Sequence, residues 1–288
     1  MGNLGTLSII LPCKNEGASV PLLLTQLKKL FPVAEIIVVN DGSTDNTVES
    51  CLSHKVKLVS NPYSMGNGAA IKNGARAATG DILVFMDADG QHDPQDVAPL
   101  LAKITQGYDM VVGARSGKSQ ASYGRHLANY IYNRLSSWMV GHTVHDLTSG
   151  FRAARASKFK EFLHMLPNGF SYPTTITMAF FRAGYSVGYV PIHAAKREGK
   201  SHIKPLTDSL RFFLIIFKVG TLYSPLKLFL PVSLAHFAVG LSYYAYTYIM
   251  SARFTNMSAL LFTTAMIIFM IGLVSEQITN ILYSNKEK

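Results

Sequence analysis

Cysteine, charge and tryptophan are all scarce in this chain. Cys13 and Cys51 are the only cysteines among 288 residues. They stand far apart and lack the spacing of a metal site. A disulfide framework does not fit, and a reducing cytosolic face is the expected setting. Cys13 lies just beyond an apolar strand and reads as a small buried residue rather than a nucleophile. Charged residues make up 15% of the chain, low for a soluble enzyme, and mean hydropathy is positive at +0.19. The charge that is present is lopsided, with a formal net of +10. Such an excess suits either nucleic acid or an anionic membrane surface. The hydropathy favours the membrane, and no nucleic-acid partner is expected. The first residues lack the basic-then-apolar order of a signal peptide. No internal repeat or low-complexity tract is visible.

What is there changes character near residue 200. Before that point apolar runs alternate with amphipathic stretches. Leu7–Leu11, Ile36–Val39, Lys57–Ser60, Ile82–Met86 and Met110–Gly113 read as strands. Val20–Leu30, Thr44–Ser53, Gly68–Ala78 and Pro94–Gln106 read as helices, and so does Asn129–Val140, which carries the lone Trp138. Strand–helix alternation predicts βαβ units and a mostly parallel sheet with right-handed crossovers.

After residue 200 two long apolar stretches appear, about Leu226–Met250 and Ala259–Leu282. Each meets the ~20-residue length that crosses a bilayer core. The turn between them, Ser251–Asn256, is short, so the two form a helical hairpin. Buried core helices of a soluble protein are the alternative. Lys196, Arg197, Lys200, Lys204, Arg211, Lys218 and Lys227 crowd the flank before the first stretch, and Lys286 and Lys288 follow the second. The turn holds only Arg253. The positive-inside rule then puts the N-terminal domain and the C-terminus in the cytoplasm. Tyr243–Tyr248 suits an interfacial belt or helix packing. Glu276, inside the second stretch, is costly in lipid unless it faces the headgroups, the other helix or another copy. Leu206, Leu210, Phe213, Leu214 and Phe217 recur at helical spacing within Ile203–Leu222, as in an interfacial amphipathic helix. The expected division is a soluble α/β domain over 1–202, a juxtamembrane helix over 203–224 and a transmembrane hairpin over 225–288.

The most informative segment is Asp81-Ile-Leu-Val-Phe-Met-Asp87-Ala-Asp89-Gly-Gln91. An apolar strand ends in two carboxylates spaced i, i+2 and then a side-chain amide. Strand ends of open α/β sheets bind ligands. Two hard oxygen donors there suit Mg²⁺ or Mn²⁺ bridging phosphates. Four clusters accompany it. Pro12-Cys-Lys-Asn15-Glu16 ends the first strand, and Asn40-Asp41-Gly42-Ser43-Thr44-Asp45 ends the second. Asp41 and Glu16 are placed to accept hydrogen bonds from a ribose or base, whereas Ser43 or Asp45 has a simpler reading as a helix N-cap. Met65-Gly-Asn-Gly-Ala-Ala-Ile-Lys-Asn-Gly74, then Gly80-Asp81, is glycine-rich and would let a backbone approach a nucleotide, though no Gly-Lys-Ser/Thr follows and it is no Walker loop. Asp146-Leu-Thr-Ser149-Gly150-Phe151-Arg152 is preceded by Arg115 and Arg125. His142 and His145 lie near Asp146, but with no second carboxylate cluster they read as packing residues.

In this ordered combination the chain resembles the inverting glycosyltransferases of family 2, with a GT-A fold. Within them it is most similar to the polyprenyl-phosphate glycosyltransferases of the dolichyl-phosphate mannose synthase type. The resemblance covers residues 5 to about 205. It implies that Asp87, Asp89 and Gln91 hold Mg²⁺ or Mn²⁺ on the diphosphate of a GDP- or UDP-sugar. Pro12, Asn15, Glu16, Asp41, Asp87 and Ala88 would frame that donor. Arg115 and Arg125 would bridge donor and acceptor phosphates. Arg197, Ser201 and Lys204 would receive a polyprenyl phosphate where it leaves the bilayer. The segment Arg197–Lys204 departs from the compact Gly-x-Ser-Lys form, because His202 and Ile203 precede Lys204. Asp146 stands where hydroxyl-accepting relatives place a base, and an orienting role is expected for it. With Asp89, Arg115 and Arg125 it forms the expected catalytic set. The enzyme expected is an integral membrane protein with its catalytic domain at the cytoplasmic face, and homo-oligomerisation through the hairpin is plausible. A hydroxyl-directed family 2 enzyme is the alternative, but the Gln-x-x-Arg-Trp motif of the processive synthases is absent, since Trp138 follows Leu135-Ser-Ser. An inactive membrane scaffold is a third reading. Arg115 and Arg125 as solvated surface groups, and Lys196–Lys204 as general anchors to anionic lipid, are the plain readings of the basic residues.

Overall fold

A computed structural model describes residues 5–115, 123–169, 172–193, 217 and 220–284. The chain divides into two compact units, residues 1–203 and 204–288.

In the first unit the apolar runs become strands β1 (Leu7–Cys13), β2 (Glu35–Asn40), β3 (Lys57–Ser60), β4 (Ile82–Phe85) and β5 (Met110–Arg115). Between them lie helices α1 (Val20–Leu30), α2 (Thr47–Ser53), α3 (Asn67–Ala77) and α4 (Val97–Thr105). Each helix exists because one face is apolar. In α1, Val20, Leu23, Leu24 and Leu27 are buried while Lys28 and Lys29 close its last turn. Ile9, Leu11 and Leu24 are fully buried, each contributing about 2 kcal/mol of hydrophobic stabilisation.

The chain continues through α5 (Tyr123–Val140), β6 (Arg152–Arg155), α6 (Ala156–Glu161), α7 (Tyr172–Arg182) and β7 (Val187–Ile192). The seven strands form one sheet in the order β3-β2-β1-β4-β6-β5-β7. All pairings are parallel except those of β6, which runs antiparallel to both β4 and β5. Sequence patterning misses β6 and β7. The strand Arg-Ala-Ala-Arg has no apolar run, and β7 is interrupted by Gly188 and Pro191. Being at the sheet's edge, β7 tolerates a proline. In central β1, Pro12 lies beyond the last β1–β4 pair, Ile10 with Phe85. The parallel strands β1, β2 and β4 therefore send their carboxyl ends, with the motif residues, to one rim of the sheet.

In the second unit, α8 (Pro225–Ser251) and α9 (Asn256–Ser284) run 27 and 29 residues. At 1.5 Å per residue each is about 40 Å long, enough to span a bilayer. Only 11% and 17% of their most apolar windows are buried, unlike the mostly buried helix of a soluble core. α9 starts three residues earlier than the apolar count predicts, because the Thr255 hydroxyl accepts the Ser258 N–H at 3.3 Å. The helices meet through small residues. Gly240 packs on Leu261 and Phe262, and Gly272 on Phe229 and Leu226. Ser233 Oγ donates to the Ala265 carbonyl at 2.8 Å. Glu276 faces the partner helix, and its Oε2 accepts the Leu226 N–H in the first turn of α8 at 3.3 Å, where helix N–H groups lack intrahelical partners. The amphipathic stretch Ile203–Leu222 lies outside the described residues except for 217 and 220–222.

Candidate active site

The loop after β4 carries the paired aspartates. Met86 N–H still donates to the Ile10 carbonyl at 3.1 Å, so the loop leaves the sheet only after it. Ala88 is buried between two half-buried aspartates, and its carbonyl accepts Ser19 Oγ at 2.6 Å. That bond pins the loop to the start of α1. Asp89 Oδ1 accepts the Gln91 N–H at 3.2 Å, with Gly90 at φ +74° making the turn between them. Asp87 Oδ2 lies 3.8 Å from His92 Nε2. His92 is itself buried and stacked on Phe151 at 4.9 Å.

Among the described residues no three or more His, Cys, Asp or Glu converge as a complete metal site. Asp87 and Asp89, with the Gln91 amide, would therefore hold a cation by two carboxylates and one neutral oxygen, leaving the rest of its shell to substrate phosphates and water. Mg²⁺ and Mn²⁺ are commonly bound in that mode, so the donor set fits them.

The loops after β1 and β2 are stitched together. Asn15, at φ +56°, donates its N–H to Ser43 Oγ at 3.0 Å, and its Oδ1 accepts the Thr44 N–H at 2.8 Å. Glu16 N–H donates to Thr47 Oγ1 at 3.0 Å, and Gly17 N–H to Asp45 Oδ2 at 2.9 Å. Asp45 precedes the N-cap of α2, which is Asn46. It nonetheless accepts the Thr47 N–H at 3.1 Å, so it serves the helix start from one residue outside the expected place. Ser43 is not a cap.

Asp41 differs from its sequence reading. Its carboxylate is 4% exposed. It accepts Asn61 Nδ2 at 2.8 Å, Met65 N–H at 2.7 Å, Ser64 Oγ at 2.9 Å and Gly66 N–H at 2.9 Å. A carboxylate has about four lone-pair sites, and here all are taken. Burial pushes the carboxyl pKa up, but these four donors outweigh burial and hold it below the ordinary value. A nucleoside hydroxyl or N–H reaches Asp41 only by displacing one of them. The Gly-rich loop is corrected too. A Cβ on Gly68 would sit 2.0 Å from the Pro167 carbonyl oxygen, and one on Gly66 2.7 Å from that of Asn168. These glycines admit the protein's own 167–169 segment.

On the other side of the sheet's centre, Arg115 ends β5 and meets Asp146, which lies 31 residues further on. Arg115 Nε donates to Asp146 Oδ2 at 2.9 Å and Nη2 to Oδ1 at 3.1 Å. Nη2 also donates to Thr148 Oγ1 at 2.6 Å. Asp146 is 6% exposed and further accepts the Arg115, Thr148 and Ser149 N–H groups. Burial raises its carboxyl pKa, but the Arg115 bonds and charge more than offset burial, so it stays below the usual range. The Arg115 guanidinium is held still by this pair, not free in solvent. The Asp-x-Thr order is the available signal for this turn, since Asp side chains bond the N–H two residues on.

Asn133 of α5 brackets Asp146. Its Nδ2 donates to the His145 carbonyl at 2.7 Å and its Oδ1 accepts the Leu147 N–H at 3.1 Å. His142 stacks on Phe181 and His145 lies edge-on to Tyr189, the packing roles expected of them. Arg125 lies in the first turn of α5, with its side chain outside the described residues, as are Arg197, Ser201 and Lys204. Sequence reasoning missed Ser19, Asn61, Ser64, Thr148 and Asn133, all of which act by reaching to distant segments.

A family model described as glycosyl transferase family 2 matches residues 8–163, and one described as GtrB C-terminal hairpin matches residues 224–281. Among solved structures the chain is similar to glucosyl-3-phosphoglycerate synthase from Mycobacterium tuberculosis. The form with Mn²⁺, UDP-glucose and phosphoglyceric acid is 21% identical with a TM-score of 0.62, covering 75% of this chain and 80% of that one. The form with Mg²⁺ and UDP is 23% identical with a TM-score of 0.58, covering 75% and 79%. At such identities the likeness establishes the fold, a GT-A α/β domain.

Proposed function

The chain belongs to glycosyl transferase family 2 and moves sugar from a nucleotide-sugar, and from that premise we propose that its acceptor is a polyprenyl phosphate at the cytoplasmic face of a membrane. The state of Asp146 carries the proposal. An acceptor hydroxyl needs a base, yet both oxygens of this carboxylate are filled and its pKa is held low by Arg115. A phosphate monoester needs none, because its second pKa is near 6 and it is already mostly ionised at neutral pH. What such an acceptor does need is a fixed cation, and Asp146 anchors one in Arg115. The hairpin over 224–281 supports the lipid half of the proposal.

In this mechanism the loops after β1, β2 and β3, with Pro12, Asn15, Glu16 and Asp41, frame the nucleotide. Asp87, Ala88 and Asp89 seat its diphosphate. A bound Mg²⁺ or Mn²⁺ would offset the charge of the departing nucleoside diphosphate. Arg115, with Arg125 from α5, neutralises the attacking phosphate, since guanidinium forks match phosphate oxygens. Arg197, Ser201 and Lys204 receive the lipid phosphate. Positioning and charge therefore carry the catalysis, and attack from the face opposite the leaving group inverts the anomeric centre.

Purified full-length protein is to be incubated with labelled UDP- and GDP-sugars, Mg²⁺ or Mn²⁺, and either polyprenyl phosphate or a hydroxyl acceptor. We expect a mild-acid-labile lipid product. Label entering only the hydroxyl acceptor would sink the proposal. For orientation, a cysteine placed within 251–256 should react with an impermeant reagent added outside intact cells, and the reverse labelling pattern would overturn the cytoplasmic placement.

A further inference from the structure

Arg152 is fully buried, at 0% exposure, in antiparallel β6. Among the described residues no carboxylate pairs with it. Its Nη1 donates to the Pro173 carbonyl at 3.2 Å and to Thr177 Oγ1 at 3.1 Å. Its Nη2 donates to the Ser149 carbonyl, and its Nε has no partner. The guanidinium carbon lies 5.7 Å from the ring centroid of Tyr172, close enough for a cation–π contact. The Tyr172 hydroxyl in turn donates to the Gly150 carbonyl at 3.0 Å. Consecutive carbonyls, Ser149 and Gly150, are thus held by an arginine and a tyrosine that touch each other.

That turn abuts the acidic loop. A Cβ on Gly150 would come 3.1 Å from Asp87 Oδ2 and 3.4 Å from Tyr172 Oη. A side chain there would press on the carboxylate, so this backbone lies close against Asp87. We propose that Arg152 and Tyr172 are positioning residues for the cation site: by gripping the Ser149–Gly150 turn they set the place of Asp87. A guanidinium buried without a carboxylate beside it is costly, and a well-packed apolar side chain of similar volume serves stability as well or better. Arg152 is spent instead on the turn that abuts Asp87. This proposal rests on Asp87 and Asp89 as cation ligands and not on the identity of the acceptor.

The test uses full-length protein in detergent, with Mn²⁺ binding followed by loss of the free-ion electron paramagnetic resonance signal, with UDP and separately with GDP present. Arg152→Met keeps much of the volume and removes the charge and the donors. Tyr172→Phe removes one hydroxyl. We expect Mn²⁺ affinity to fall roughly tenfold in Arg152→Met, as when outer supports of metal ligands are removed. A several-fold loss is expected in Tyr172→Phe, with its thermal unfolding little changed. Wild-type Mn²⁺ affinity in both variants would overturn the proposal, as would a wild-type protein that binds no Mn²⁺. If Arg152→Met fails to fold, Tyr172→Phe decides alone. A wild-type protein that binds Mn²⁺ but glycosylates a different acceptor sinks the acceptor assignment and leaves this one standing.

Discussion

The two ends of the site are built on opposite plans. At the donor end, acidic and polar side chains turn inward on their own loops. Asp41 and Asp45 each collect neighbouring N–H and hydroxyl donors, and Asn15 and Ser43 trade bonds across the β1 and β2 loops. Asp87 and Asp89 are the pair proposed to hold a cation. At the proposed acceptor end one carboxylate holds an arginine by two side-chain bonds and its own turn by backbone N–H groups. Under the proposed function, the difference follows from what each end would hold. A nucleotide offers many hydrogen-bonding groups and wants a rigid rim, whereas a phosphate offers charge and wants a cation that does not move.

The contrast can be broken from either side. The largest effect is expected from Asp89→Ala. Removing a cation ligand should lower transfer on the order of 10³-fold, matching the loss of several kcal/mol of charge stabilisation. A chelator should reproduce the loss in the wild type. Activity surviving both treatments would mean the donor end works without a cation. Next comes Asp146→Asn, which keeps the shape but loses the charge that anchors Arg115. We expect kcat/KM for the acceptor to fall about 10²-fold, the penalty for displacing a positioned group by about 1 Å, with the donor KM little changed. A loss confined to the donor KM would contradict the division between the two ends.

The smallest effect should come from a carboxylate at neither end. Glu35 accepts from Ser8, Lys57 and Thr79. Burial pushes its pKa up, but the Lys57 and Ser8 bonds, with those of Thr79, prevail and bring it down to about 2. A carboxyl lowered on folding adds stability that is present above its unfolded pKa, near 4.3, and is lost as pH falls toward the folded value. Glu35→Gln should therefore flatten part of the stability loss between about pH 4.5 and 2 while leaving transfer at neutral pH unaltered. An unchanged acid unfolding profile would remove Glu35 from that role.

The same contrast marks what the sequence could reveal. Strands β1 to β5 are legible because apolar burial writes them into local order, and the Asp87–Gln91 segment is legible because its residues are neighbours in the chain. Strand β6 is not, since its two arginines hide a strand from any hydrophobic pattern. The filling of Asp41 is equally hidden, because its donors come from the 61–66 loop. So is the Arg115–Asp146 pair, whose members lie 31 residues apart with helix α5 between them. The glycines at 66 and 68 misled for the same reason. Their need for closeness was visible, but not which neighbour was close.

The bond from Leu226 N–H to Glu276 spans 50 positions of the chain. In order of synthesis the first helix precedes its acceptor by 50 residues. Helix α8 thus depends on α9 for one of the N–H partners its own first turn lacks, so the two helices are fastened at the start of the one and near the end of the other.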